Sequence, residues 1–166
     1  CIGGGFTQTL SCDFALAAEE AIFCLSEVNW GILPGGLVSK KLVEAIRFRD
    51  AMFYACTGRA FDGKRAAEIG LVNFAVPSDC LRQETVALAV ELMEKNPEVL
   101  RATKNALRAV RTMSDDQAFD YLAAKASEIK LRDKENAYHH GIKQFIDDKT
   151  YKLTFSAYDR ERASQD

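Results

Sequence analysis

An α/β unit followed by a helical appendage is the fold class that these 166 residues predict, and three observations carry it. Short apolar runs alternate with helical spacing as far as residue 76. Glycine and proline punctuate those runs where turns and helix ends are needed. Beyond Pro77 the strand-like runs stop and amphipathic stretches follow one another, so the expected organisation is residues 1–76 and residues 77–166.

The elements follow in order. Gly3, Gly4 and Gly5 come directly after the apolar Ile2, and residues 4–11 have the pattern of a short helix. Glycine lets a substrate oxygen approach the backbone, and unpaired N–H groups at a helix start then point at it. That arrangement can hold an oxyanion. Residues 13–18 read as a short strand, Glu19-Glu20 as a polar turn, and residues 22–25 as a second apolar strand. Pro34-Gly35-Gly36 is a turn and helix-start signal, and residues 37–47 have amphipathic helical spacing. Glu27 therefore falls in a connection between strand and helix, where catalytic groups commonly lie. A carboxylate placed there can move protons at the carbon beside a stabilised carbonyl.

Residues 50–57 look helical with Gly58 as the cap, residues 64–69 repeat the device with Gly70, and residues 71–76 form a short strand. Asp79 can cap a helix whose Val86, Ala89, Val90 and Met93 make one stripe. Asn96-Pro97 opens the next helix with proline at its first position. Ser114 and Gln117 form a capping box for a helix carrying Phe119, Leu122, Ala126 and Ile129, and a final helix covers residues 135–148. Apolar stripes on several late helices exceed what a small tail can bury, so packing against further copies of the chain is expected.

Composition narrows the function classes. The chain is 48% hydrophobic and 28% charged, which excludes disordered and fibrous proteins. A net charge of -2 argues against a general nucleic-acid binder. No apolar run is long enough to span a bilayer and no leader pattern opens the chain, so a soluble cytoplasmic protein with no membrane partner is the expectation. Cysteines at 1, 12, 24, 56 and 80 have unequal gaps and no C-x-x-C pair, and His139 and His140 are neighbours that point to different helix faces. Neither set suggests a metal site. Arg101, Lys104, Arg108 and Arg111 form a basic stripe that reads as a solvated face or as a contact for phosphate groups.

The glycine loop, Cys12-Asp13, the run from Phe23 through Gly36, Thr57-Gly58 and Gly70-Leu71-Val72-Asn73 together resemble the crotonase, or enoyl-CoA hydratase/isomerase, superfamily. Within it, Leu25-Ser26-Glu27-Val28-Asn29-Trp30-Gly31, Leu37-Val38-Ser39-Lys40 and Gln144-Phe145-Ile146-Asp147-Asp148-Lys149 look most like the hydroxycinnamoyl-CoA hydratase-lyases. The resemblance implies part of a crotonase-like ββα spiral core, with a C-terminal helical region that forms trimers or dimers of trimers. It also implies that the family's N-terminal half is missing. Cys1 is not an initiator, and the glycine loop opens without a preceding strand, so the chain reads as a piece of a longer one.

By position, the resemblance makes Gly4 one oxyanion donor, with the second upstream of Cys1, and makes Glu27 the catalytic glutamate. Thr7 stands where simple hydratases have a second glutamate and hydratase-lyases a serine. Gly3, Trp30, Gly35, Tyr121 and Ala123 fall at substrate-binding positions. Ala123 stands where a tyrosine would reach a phenolic hydroxyl, and Cys24 where a glycine would precede the Leu-Ser-Glu run. Phe145 and Lys149 are candidates for coenzyme A contacts in a neighbouring subunit. No bound cofactor is implied, because coenzyme A arrives as part of the substrate.

The expected activity is hydration of an aryl-propenoyl-CoA followed by cleavage to an aromatic aldehyde and acetyl-CoA. Two alternatives stay open: a simple enoyl-CoA hydratase or isomerase, and a non-catalytic oligomeric scaffold that binds acyl-CoA.

Overall fold

The computed structural model describes residues 1–150 and 157–159, and the chain folds as two compact units, Cys1–Ala87 and Leu88–Asp166. In the first unit, helix α1 (Gly5–Ser11) is followed by strand β1 (Leu16–Ala18), a 3-10 turn over Glu27–Trp30, and helices α2 (Val38–Ala45), α3 (Phe48–Thr57) and α4 (Gly63–Glu68). Strand β2 (Phe74–Val76) comes next, and helix α5 (Leu81–Met93) contains the division between the units.

The parallel strands pair Leu16 with Phe74, Ala17 with Ala75 and Ala18 with Val76. Asn73 lengthens this ladder at both of its polar ends. Its backbone N–H donates to Ala15 O at 2.7 Å, and its side-chain Oδ1 accepts from Ala15 N at 2.9 Å. Helix α4 must start hard against β1: a Cβ on Gly63 would lie 1.9 Å from Ala18 O, so only glycine fits this crossover.

One apolar core holds the first unit together. Phe6 and Leu25 are fully buried, joined by Phe23, Leu42, Ile46, Tyr54, Ala66 and Val72 among others. Phe6 meets Phe23 edge-on at 5.9 Å, Phe23 stacks on Phe61 at 5.7 Å, and Phe61 lies 4.1 Å from Tyr54. Burying a side chain of this size contributes about 2–3 kcal/mol each. Arg65 covers the edge of this cluster, where bonds to Tyr54 Oη and to Glu68, with Asp50 nearby, hold its guanidinium firmly protonated.

The expected strand over residues 22–25 is a correction. Only single bridges form there, Phe23 antiparallel to Phe61 and Cys24 parallel to Ile2, because each residue pairs with a different segment. The strand expected over 71–76 is shortened for a local reason. The N–H groups of Leu71 and Val72 both go to Ala66 O at the end of α4, so β pairing begins only at Phe74.

The second unit is helical: α6 (Pro97–Ala109), a 3-10 turn over Val110–Thr112, α7 (Asp115–Arg132), α8 (Ala137–Ile142) and a π turn over Lys143–Asp147. Asn96 caps α6 through its Oδ1, at 3.1 Å from both Glu98 N and Val99 N. Ser114 and Gln117 form the expected reciprocal capping box on α7. The last helix departs from expectation by starting at Ala137 and loosening into the π turn, with Lys149 in left-handed backbone at φ 52. Among the described residues no helix is long and apolar enough to cross a membrane.

Candidate active site

Two segments of the first unit meet. Ile2 and Cys24 pair in parallel, and Gly3 N–H donates to Cys24 O at 3.1 Å while Cys24 N–H donates to Cys1 O at 3.1 Å. This pairing seats the glycine loop beside the segment that leads into Glu27. The Glu27–Trp30 turn is closed by Gly31 in left-handed backbone (φ 71), whose N–H turns back to Val28 O. Ile32 N–H donates to Glu27 O at 3.2 Å, which folds the following residues over the turn.

The Glu27 carboxylate lies beside the glycine loop, on the side where a Gly3 side chain would point. A Cβ built on Gly3 would sit 3.7 Å from Glu27 Oε1, and Gly3 adopts φ +52, a conformation that side chains rarely take. Glu27 Oε2 is buried and accepts no hydrogen bond among the described residues. Buried polar atoms normally find partners, so an orphaned carboxylate oxygen beside a glycine loop marks a place where a polar substrate atom can be received.

The three glycine amides have different fates. Gly3 N–H is consumed by Cys24 O and Gly5 N–H by Ile2 O, both at 3.1 Å. Gly4 N–H has no acceptor among the described residues, and nothing lies within 4 Å of the place a Gly4 Cβ would occupy. Among the described residues the loop therefore offers one free donor. Thr7 is exposed; its N–H donates to Gly4 O at 3.2 Å, which fixes the loop one turn beyond the free amide.

Trp30 lies in the same turn and is 75% exposed, while Gly35 is exposed in the turn before α2, where its carbonyl accepts from Val38 N–H at 3.3 Å. Gly3, Gly4, Thr7, Glu27, Trp30 and Gly35 all belong to the first unit, and Tyr121, Ala123, Phe145 and Lys149 to the second. Tyr121 is half-buried on α7 beneath Lys125, whose Nζ sits 5.7 Å from its ring, whereas Ala123 is exposed. Phe145 borders an open groove of about 1320 Å³ that Val99, Leu100, Ile129 and Ile142 also line. Lys149 is exposed. Among the described residues no group of three histidine, cysteine or acidic side chains could hold a metal ion.

One residue was given no role by sequence reasoning. Asn29 stands there only within the run from Leu25 to Gly31, yet its side chain reaches Gly58 at the end of α3. A contact across 29 positions leaves no local pattern to read.

Residues 1–154 match the family model for enoyl-CoA hydratase/isomerase. The chain is 48% identical to the hydroxycinnamoyl-CoA hydratase-lyase of Pseudomonas fluorescens over 96% of its own length and 58% of that protein's. It is 28% identical to the 2,3-dehydroadipyl-CoA hydratase of Escherichia coli K12, covering 90% of this chain and 57% of that one. Among solved structures, the enoyl-CoA hydratase of Bacillus anthracis superposes with a TM-score of 0.78 at 28% identity, covering 87% of this chain and 55% of that one. The enoyl-CoA hydratase of Mycobacterium tuberculosis H37Rv gives 0.79 at 27% identity, with 93% and 60% covered. The chain thus spans a little over half the length of these two relatives.

Proposed function

We propose, for a chain that belongs to the enoyl-CoA hydratase/isomerase family, that its protein hydrates an aryl-propenoyl-CoA and cleaves the product to an aromatic aldehyde and acetyl-CoA. The fold, a partial crotonase-type α/β fold, supports the chemistry class. The 48% identity to a hydratase-lyase supports the choice of reaction within it. The observation that carries the reading is the buried, unpartnered Glu27 Oε2 beside Gly3, in the same loop as the free Gly4 N–H.

The thioester carbonyl oxygen accepts from Gly4 N–H, and the oxyanion grows there as water adds to the β-carbon. A preorganised donor at this point is worth about 3 kcal/mol of barrier. Glu27 takes the proton from the attacking water and returns it to the α-carbon, so one carboxylate serves both half-steps. In the cleavage step the β-hydroxyl loses its proton, the bond between the α- and β-carbons breaks, and the aldehyde leaves. The electrons return to the same thioester oxygen, and the resulting acetyl-CoA enolate then takes up a proton. Coenzyme A enters and leaves as part of substrate and product. Thr7 is assigned a hydroxyl contact with the substrate from α1, and Phe145 and Lys149 are assigned to coenzyme A contacts.

The exposed apolar faces of the second unit support assembly into a homo-oligomer. A single-chain mass by sedimentation of the full-length protein at micromolar concentration counts against that assignment.

The activity test is incubation of the full-length protein with feruloyl-CoA, following vanillin and acetyl-CoA by mass spectrometry. Equal production of both is the expected result. Ala123 favours a second reading, a simple hydratase or isomerase, because an alanine cannot bond a phenolic hydroxyl. Turnover of crotonyl-CoA or a 3-enoyl-CoA with no aldehyde from feruloyl-CoA selects that second reading.

A further inference from the structure

The segment that carries Glu27 is tied at both sides to one carbonyl. Cys24 Sγ donates to Gly58 O at 3.4 Å, and Asn29 Nδ2 donates to the same oxygen at 3.3 Å. Glu27 lies between these two anchors in sequence. Gly58 is itself well fixed. It closes α3 in left-handed backbone (φ +60), and its N–H donates at 3.0 Å to the carbonyl of Tyr54, a residue of the aromatic core.

The contact is also tight. A Cβ on Gly58 would lie 2.5 Å from Asn29 Nδ2, 2.6 Å from Oδ1 and 2.8 Å from Cγ, closer than real Cβ atoms come to other heavy atoms. The Asn29 amide therefore lies flat against bare backbone, and any side chain at position 58 drives it away.

We propose that Asn29 is a positioning residue that, together with Cys24, clamps the Glu27 turn onto the Gly58 carbonyl and thereby holds the carboxylate beside the glycine loop. The inference rests on the assignment of Glu27 as the proton-moving group. Glu27 Oε2 is buried and accepts no hydrogen bond among the described residues, so the aim of that oxygen depends on the backbone that bears it. Displacements of about 1 Å in such a group cost on the order of a hundredfold in rate.

The test uses the full-length protein and compares wild type, Glu27→Gln, Asn29→Asp, Asn29→Ala, Gly58→Ala and the Asn29→Ala/Gly58→Ala double variant. Asn29→Asp keeps the shape and removes the donor. It should lower kcat by roughly ten- to a hundredfold while KM stays within about twofold and the melting temperature changes little. Gly58→Ala should lower kcat comparably in wild type but much less in the Asn29→Ala background, where the strain of a side chain at φ +60 remains and the clash with the amide is gone.

If Glu27→Gln is inactive while Asn29→Asp turns over within about twofold of wild type, the clamp is overturned and the proposed function stands. If Glu27→Gln keeps full turnover, the proposed function and the clamp fall together. Should Asn29→Asp not fold, Gly58→Ala decides by the same criteria from the other end of the contact.

Discussion

In the first unit the side chains hidden from solvent are apolar, led by Phe6 and Leu25, whereas in the second the hidden residues among those described are Asn96, Gln144 and Ala137. The two buried amides are fully engaged. Asn96 caps α6 and donates to Asp133 Oδ1 at 3.0 Å and Glu135 Oε2 at 3.1 Å. Gln144 exchanges two bonds with the backbone of Asp159, at 2.9 Å and 2.8 Å. Meanwhile Phe119 is 76% and Leu131 89% exposed. The lesson is about what each unit can hold still. An apolar core with interlocking rings provides a packed floor beneath the turn that carries Glu27, while polar latches set the turns between helices and leave the helix faces open.

The largest effect that breaks this contrast is Phe6→Ala, which should destabilise the first unit by about 3–5 kcal/mol in denaturant titration. A loss below about 1 kcal/mol contradicts the picture of one cooperative core. Next, Asn96→Ala removes a cap and the amide donor shared by two carboxylates, at a cost of about 2 kcal/mol by the same titration. Little or no change makes the latch incidental. Phe119→Ala, at an exposed position, should stay within about 0.5 kcal/mol for the dissociated chain. A larger loss seen only at high protein concentration sharpens the contrast by showing that this face is covered in an assembly.

The smallest expected effect is electrostatic. The bond from Lys125, and then the charge of Arg132, hold the Glu128 carboxyl below its ordinary range. A carboxylate depressed in the folded state stabilises the fold above its unfolded pKa, and that contribution disappears as the pH falls through the folded value. Glu128→Gln should therefore lower stability slightly at neutral pH, leave it unchanged at pH values below the folded pKa, and so flatten the acid limb of the stability curve. An unchanged acid limb removes this ion pair from the account.

Local signals in the sequence were reliable guides to both units. Gly58, Asn96 and the Ser114–Gln117 box announce helix ends through backbone needs that only a few residue types meet. Non-local contacts were not legible. Residues 22–25 look like a strand because they are apolar, but their partners, Ile2 and Phe61, lie far away in sequence and allow only single bridges. The Val86, Val90 and Met93 stripe is exposed in this chain, in keeping with stripes that exceed what the helical region can bury by itself. The site divides along the same line. The glycine loop and Glu27 were legible as residue types suited to oxyanion and proton chemistry, but which amide stays free was not. That depends on Gly3 and Gly5 being claimed by Cys24 and Ile2.

The central claim is that Glu27 moves a proton at the α-carbon of an acyl thioester. Deuterium incorporation from D2O into the methyl group of acetyl-CoA, followed by NMR with the full-length protein and its Glu27→Gln variant, tests it most directly. The account predicts catalysed exchange in the wild type and a loss of about 10²–10⁴ in that catalysis in the variant. Exchange at the same rate with both proteins would contradict it.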